Sequence, residues 1–113
     1  HIAAIVAIEP GGAPSADSLD FHTVLSKNIP VTMYFGDYID NGDPTIPATG
    51  MWQMMRRACY DFEAAYNALG GNCTVVDLPQ EGITGNDHFM FQDLNNDVIA
   101  QHIENWIQEN AAL

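Results

Sequence analysis

The sequence predicts an α/β fold with three parallel strands and flanking helices. Three apolar runs rich in β-forming residues, at 3–12, 29–37 and 73–79, alternate with segments of helical periodicity. Continuous apolar runs are typical of strands covered on both faces of a parallel sheet. Because parallel strands are joined by right-handed crossovers through helices, this order of segments favours a single sheet.

The first two strand segments end in residues that interrupt a strand. The run "AAIVAIEPGG" (3–12) closes on Glu-Pro-Gly-Gly, and "IPVTMYFGD" (29–37) closes at Gly36. A short helix near 17–27 is expected between them. Three strands make a narrow sheet, and the first run needs cover on both faces and a neighbour at its open edge. The chain therefore resembles half of a larger sheet.

A helix is predicted over 51–69, where apolar side chains recur at steps of three and four. It stops at Gly70-Gly71, a typical C-terminal signal. The third strand, "CTVVDLP" (73–79), follows directly.

The last helix is predicted from about Asn95 or Asn96 to near Asn110. The loop at 37–50 is long and rich in Pro, Gly and Asp, which is typical of surface loops that carry function.

Composition excludes several classes of partner. The chain has 113 residues, enough for one small domain, and a formal net charge of −12. Lys27, Arg56 and Arg57 are the only cations besides histidine. Three scattered cations cannot neutralise a run of phosphates, so neither nucleic acid nor an anionic membrane is an expected partner. No apolar run approaches the roughly 20 residues that span a bilayer.

The sequence predicts no metal site and no cofactor. Cys59 and Cys73 match neither a C-x-x-C nor a zinc pattern, and they allow either one disulfide or two thiols. The segment "DYIDNGD" lacks the spacing and closing glutamate of a calcium loop. The chain enters an apolar run directly after His1, which fits a processed start, and a secreted or periplasmic location is slightly favoured.

Candidate site residues follow the predicted strands. Glu9 ends the first, Asp37 and Asp40 follow the second, and the third leads through a polar loop to His88. Ligands of open α/β sheets bind beyond the carboxyl ends of the strands, which lie only about 4.8 Å apart. A carboxylate that accepts from one imidazole nitrogen leaves the other nitrogen as a general base. The pattern therefore indicates an acid and a histidine base that lack a nucleophile.

Each candidate also has a structural interpretation. His88 could be an ordinary loop histidine, although Gly85 permits close backbone approach and the aromatic residues at 89–91 can exclude water. Glu9 could be an exposed cap of its turn, but a carboxylate at the end of an apolar strand is costly if buried without a partner. The aspartates at 37 and 40 could simply solvate a turn.

Four segments together resemble the carboxy-terminal part of an α/β-hydrolase: "AIVAIEPGG", "IPVTMYFGDYID", "GGNCTVVDLPQEGITGNDHFMFQDLNND" and the final helix. More narrowly, they resemble bacterial-type esterases whose triad glutamate follows the sixth strand in an E-P-G context, with the histidine in a G-N-x-H segment. The resemblance implies that 1–113 is the carboxy-terminal portion of one α/β-hydrolase domain, with strands six to eight of its sheet. Glu9 would be the triad acid and His88 the base. Asp40, or less plausibly Asp37, is the rival acid, because most α/β-hydrolases place the acid after strand seven.

The chain departs from this family in one decisive feature. The nucleophile elbow G-x-S-x-G is absent, and no serine of the chain has its setting. The resemblance therefore implies that a serine from an upstream segment or companion chain completes a carboxylic-ester hydrolase, and that this chain alone is inactive. Trp52, Phe89 and Met90 are expected to line the pocket for a small ester, although Trp52 fits a helix core equally well. The alternatives are a non-catalytic interaction module and another α/β-hydrolase activity, such as that of a peptidase.

Overall fold

The structure, a computed structural model, describes residues 1–111. Its centre is a parallel sheet of three strands, β1 (Ile5–Ile8), β2 (Val31–Phe35) and β3 (Cys73–Asp77), in the order β1-β2-β3. Val31 lies opposite Ile5 on one side and Cys73 on the other, so the strands start level with one another. The predicted α/β class, with three parallel strands and flanking helices, is confirmed.

Three α-helices surround this sheet: α1 (Leu19–Ser26), α2 (Pro47–Ala68) and α3 (Asn96–Asn110). The side chain of Ser18 caps α1 by accepting a 3.2 Å hydrogen bond from the Phe21 N–H. The helix α2 begins at Pro47 rather than near residue 51, because proline at the first helical position loses no hydrogen bond. Short 3₁₀ turns occupy Asp37–Ile39, Leu78–Glu81 and Met90–Gln92.

The end of α2 follows the glycine signal. The N–H of Gly71 donates to the carbonyl of Tyr66 at 2.8 Å. A Cβ on Gly71 would overlap the Tyr66 ring, so a larger residue would displace that buried side chain. The third strand is shorter than predicted, since the chain turns into a 3₁₀ helix directly after Asp77.

The helices cover both faces of the sheet and create two cores. Alternate residues of β2 point to opposite faces, and all five are buried. The core between the sheet and helices α1 and α2 contains Phe21, Val31, Met33, Phe35, Ile39, Cys59, Phe62, Tyr66 and Cys73. The core under α3 contains Tyr34, Val76, Leu78, Met90 and Ile99. In contrast, β1 is only half-buried and lies at an edge of the sheet.

Cys59 and Cys73 are both buried as free thiols. Burial disfavours the thiolate and raises the pKa of Cys59 to about 11 and that of Cys73 to about 12. Of the two alternatives that the sequence allows, the structure has the two thiols. No helix within residues 1–111 has the length and apolar character needed to cross a membrane.

Candidate active site

Glu9 lies directly after β1 in an unusual backbone conformation. Its φ of 48° is in the left-handed region, which is uncommon for a residue other than glycine and is often found at functional sites. The N–H of Glu9 donates to the Tyr34 carbonyl at 2.8 Å, so the strand ladder still holds the backbone here. The side chain is only 2% exposed. The end of β1 thus holds a buried carboxylate at the tip of the sheet.

Gly36, at the end of β2, holds one oxygen of this carboxylate. Its N–H donates to Oε1 of Glu9 at 2.7 Å. A Cβ on Gly36 would lie 3.1 Å from that oxygen and 2.5 Å from the carbonyl oxygen of Asn86. Only glycine therefore lets these three segments approach so closely.

The second oxygen of Glu9 faces His88. Its Oε2 lies 3.3 Å from Nδ1 of His88, which is within ion-pair distance, and both atoms are buried without a hydrogen-bond partner among the described residues. The His88 side chain is 37% exposed, and this exposure belongs to the part of the ring away from Nδ1. The imidazole therefore directs Nδ1 at the acid and leaves Nε2 for other contacts.

Burial dominates the electrostatics of Glu9. Removal from water raises the pKa of the Glu9 carboxyl, because the low-dielectric surroundings disfavour its charged form. The hydrogen bond from Gly36, the contact with His88 and the charge of Arg56 oppose this shift only in part. A positive charge on the neighbouring imidazole would stabilise the ionised carboxylate.

Asn86 anchors the loop that carries His88. It is fully buried, and its Nδ2 donates to Oδ2 of Asp93 at 3.1 Å and to Oδ1 of Asn95 at 2.6 Å. In return, Nδ2 of Asn95 donates to Oδ1 of Asn86 at 3.0 Å. The sequence motif around His88 draws attention to these residues, but their reciprocal hydrogen bonds become visible only in the fold.

Asp37 ties the same loop to the end of β2. Its Oδ2 accepts from the Gly85 N–H at 3.1 Å, and its own N–H donates to the Asn86 carbonyl at 2.9 Å. Gly85 has a φ of 86°, which suits glycine. Asp37 therefore supports the loop and does not face the imidazole.

The other rival acid is also engaged elsewhere. The carboxylate of Asp40 forms a bidentate pair with Arg56, with distances of 2.6 and 2.9 Å. Arg56 lowers the pKa of Asp40 and also lies 3.3 Å from Asp77. Among the described residues, Glu9 is the candidate acid whose carboxylate lies within 4 Å of His88.

The three residues expected to line a pocket have different surroundings. Trp52 is half-buried and stacks on His88, with ring centroids 3.9 Å apart. Phe89 is 59% exposed beside the site. The placement of Met90 in a pocket is wrong, because its side chain is fully buried in the core with Tyr34 and Val76. Within residues 1–111, no three His, Cys, Asp or Glu side chains are grouped so that they could hold a metal ion.

Comparison with known proteins places this geometry in context. No protein-family model matches the chain, and no curated protein does. Among solved structures, a novel bacterial esterase determined at atomic resolution is 39% identical and superposes with a TM-score of 0.82. The match covers 96% of this chain and 31% of that esterase chain. The chain is thus similar to part of a bacterial esterase, which supports the relationship that the sequence motifs predict.

Proposed function

We propose that this chain supplies the acid and the base of a serine carboxylic-ester hydrolase. Glu9 is the acid and His88 is the base, and the serine belongs to a G-x-S-x-G segment outside these 113 residues, upstream or on a companion chain. The single observation that carries the proposal is the 3.3 Å approach of Oε2 of Glu9 to Nδ1 of His88. The similarity to part of a bacterial esterase supports it independently.

Glu9 and His88 take part in each step of ester hydrolysis. Nε2 of His88 accepts the proton of the serine hydroxyl as the serine attacks the ester carbonyl. The same nitrogen then protonates the leaving alcohol, and in the second half-reaction it activates the water that releases the acid. Glu9 keeps Nδ1 oriented and stabilises the imidazolium. The oxyanion donors come from the segment that carries the serine.

The burial of Glu9 suits this role. A buried carboxylate interacts more strongly with a charge that develops beside it, because the local dielectric constant is lower than that of water. The hydrogen bond from Gly36 keeps one oxygen fixed, so the other stays directed at His88. The pair is thereby organised before a proton moves.

The open edge of β1 is the place where we expect the serine-bearing segment. The N–H groups of Ile5 and Glu9 donate to the carbonyls of Pro30, just before β2, and Tyr34 in β2, at 2.9 and 2.8 Å. Because successive residues of a parallel strand direct their backbone groups to opposite sides, those of Val6 and Ile8 point away from β2. A further strand paired there would end within about 5 Å of β1, beside Glu9.

An apolar groove beside β1 fits a helix of the same segment. It continues from the strand along one side of α3. Its apolar lining consists of Ile8, Phe91, Ile99, Ala100, Ile103 and Ile107. A segment that combines a strand and a helix would cover the strand edge and the groove together.

The same edge favours a second candidate function, that of a non-catalytic α/β module. An extended segment of a partner protein could add to β1 by main-chain hydrogen bonds without any reaction at His88. The two functions differ in whether the bound partner contains a G-x-S-x-G serine. Mass spectrometry of the co-purified partner distinguishes them.

The proposal is tested with the chain assembled with its serine-bearing segment. We expect hydrolysis of p-nitrophenyl esters, no hydrolysis by the chain alone, and a loss on the order of 10³-fold or more in kcat for His88→Ala. His22→Ala is the matched control, because His22 is an exposed histidine of α1. Activity that survives His88→Ala would overturn the proposal, and preferential cleavage of peptides would replace the esterase with a peptidase.

A further inference from the structure

The indole ring of Trp52 lies against the imidazole of His88. The ring centroids are 3.9 Å apart and the two planes are inclined by only 27°. Trp52 is in the second turn of α2 and is half-buried, so a helix presents the ring to the histidine. One face of the imidazole is therefore covered by a flat aromatic surface.

Two contacts fix this part of α2. Nε2 of Gln53, the next residue, donates to the carbonyl of Ile39 at 3.1 Å. One turn further on, Arg56 binds Asp40 through two hydrogen bonds. The start of α2 is thus bound to the loop that follows β2, and Trp52 has a fixed position relative to the sheet.

The acid alone holds the imidazole only loosely. The 3.3 Å between Oε2 of Glu9 and Nδ1 of His88 exceeds the roughly 2.7–2.9 Å of a charge-assisted hydrogen bond. Nδ1 has no hydrogen-bond partner among the described residues. A second contact is therefore needed to keep the imidazole ring from rotating.

We propose that Trp52 is a positioning residue for His88. Its ring restricts the rotation of the imidazole and keeps Nδ1 directed at Glu9. This inference rests on the proposed function and replaces the expectation that Trp52 lines the pocket. A cation above an indole face is also attracted to it, so the stack is stronger when His88 carries a proton. Trp52 therefore acts in both steps in which His88 takes a proton, first from the serine and then from the water, and slows the two steps alike when it is replaced.

A positioning role and a pocket role differ in their kinetics. A residue that orients the base changes kcat by the same factor for every ester and leaves KM unaltered. A residue that binds the acyl chain changes KM, and the change grows with the length of that chain. Trp52→Leu and Trp52→Phe in the assembled enzyme, assayed with p-nitrophenyl acetate and octanoate, distinguish the two roles.

We expect Trp52→Leu to lower kcat about three- to tenfold for both esters, which corresponds to the usual strength of an aromatic stack. Trp52→Phe should retain most of the activity because it keeps a flat ring. Met54→Leu is the control, since Met54 is 74% exposed on the same helix. An unchanged kcat in Trp52→Leu, or an effect on KM that grows with chain length, would overturn the inference.

A spectroscopic measurement separates this inference from the proposed function. In the assembled enzyme, with isotope labels in this chain, the stacked indole should shift the ring protons of His88 upfield, and Trp52→Leu should abolish that shift. If Trp52→Leu does not fold, Trp52→Phe should show a reduced shift. Unshifted His88 protons in the native chain would overturn the stack whatever the activity. If the His88 protons show the expected upfield shift but the assembled enzyme has no esterase activity, the proposed function is overturned, and the catalytic role of Trp52 with it.

Discussion

The carboxylate of Glu9 spans two segments, with Oε1 at 2.7 Å from the backbone nitrogen of Gly36 and Oε2 at 3.3 Å from Nδ1 of His88. The end of β1, the end of β2 and the loop after β3 therefore meet at one buried acid. In the proposed esterase, this arrangement orients the base and opposes the positive charge that forms on it.

The first prediction concerns the acid. Glu9→Gln in the assembled enzyme should lower kcat on the order of 10³-fold or more, because a neutral amide cannot stabilise the imidazolium. The rate of p-nitrophenyl ester hydrolysis measures this. Asp40→Asn is the comparison, and because the Asp40 carboxylate binds Arg56 and does not face His88, kcat should fall far less than in Glu9→Gln. A larger loss in Asp40→Asn than in Glu9→Gln would transfer the acid role to Asp40.

The second prediction is that the same substitution stabilises the fold at neutral pH. Burial raises the pKa of Glu9 in the folded chain above its ordinary value of 4.5, so ionisation favours the unfolded state. The free energy of unfolding of the native chain should thus fall relative to Glu9→Gln as the pH rises through and above that value. Urea unfolding from about pH 4 to about pH 8 measures the difference.

Asp40→Asn is a control that should change the free energy of unfolding in the opposite direction. Arg56 lowers the pKa of Asp40, so its contribution to stability is present above its ordinary value of 3.8 and disappears as the pH falls through the folded-state value. This contribution should be small because the side chain is 56% exposed. A Glu9→Gln variant that loses stability at neutral pH would contradict the account of Glu9 as a buried acid disfavoured by its surroundings.

The third prediction concerns the glycine beside the acid. Gly36→Ala should destabilise the chain by about 1–3 kcal/mol, because its Cβ would meet backbone as well as the Glu9 carboxylate. Gly50→Ala is the control, since Gly50 lies in α2 with open space around it, and alanine there should stabilise by about 0.5–1 kcal/mol. Thermal or urea unfolding compares the two. Equal effects of the two alanines would show that Gly36 does not hold the segments in contact.

The fourth prediction concerns the loop of His88. Asn86→Ala should cost about 1–3 kcal/mol of stability, because it removes the hydrogen bonds that the buried amide makes with Asp93 and Asn95. Ester hydrolysis should also fall, since His88 is only two residues away. The control is Asn72→Ala, which breaks a single exposed hydrogen bond to Asn110 and should change stability by less than about 0.5 kcal/mol. Full activity in Asn86→Ala would show that the hydrogen bonds of Asn86 do not help to position His88.

Much of this fold could be predicted from local patterns. Apolar runs locate the strands, and Gly70-Gly71 ends α2 as expected. Both signals depend only on residues that are neighbours in the sequence. The sequence pattern does not indicate the start of α2 at Pro47, since the Pro, Thr and Gly residues there also occur in loops. Sequence alone does not place Met90 in the core, because an apolar residue after a histidine fits a pocket and a core equally well.

The contacts within the site can be identified only from the three-dimensional structure. The spacing of strand ends brings Glu9 and His88 together, but the sequence alone leaves Asp37 and Asp40 as rivals. Their other partners, Gly85 and Arg56, decide between them only once the loops are in place. Likewise, nothing local connects Trp52 to His88, because a ring stack between distant residues leaves no periodic pattern in the sequence.

The most direct test of the account is fluorophosphonate labelling of the G-x-S-x-G serine in the assembled enzyme. With the native chain we expect rapid labelling of that serine, and with His88→Ala we expect the labelling to be lost. Labelling that proceeds equally fast in the His88→Ala assembly would contradict the claim that this chain provides the base.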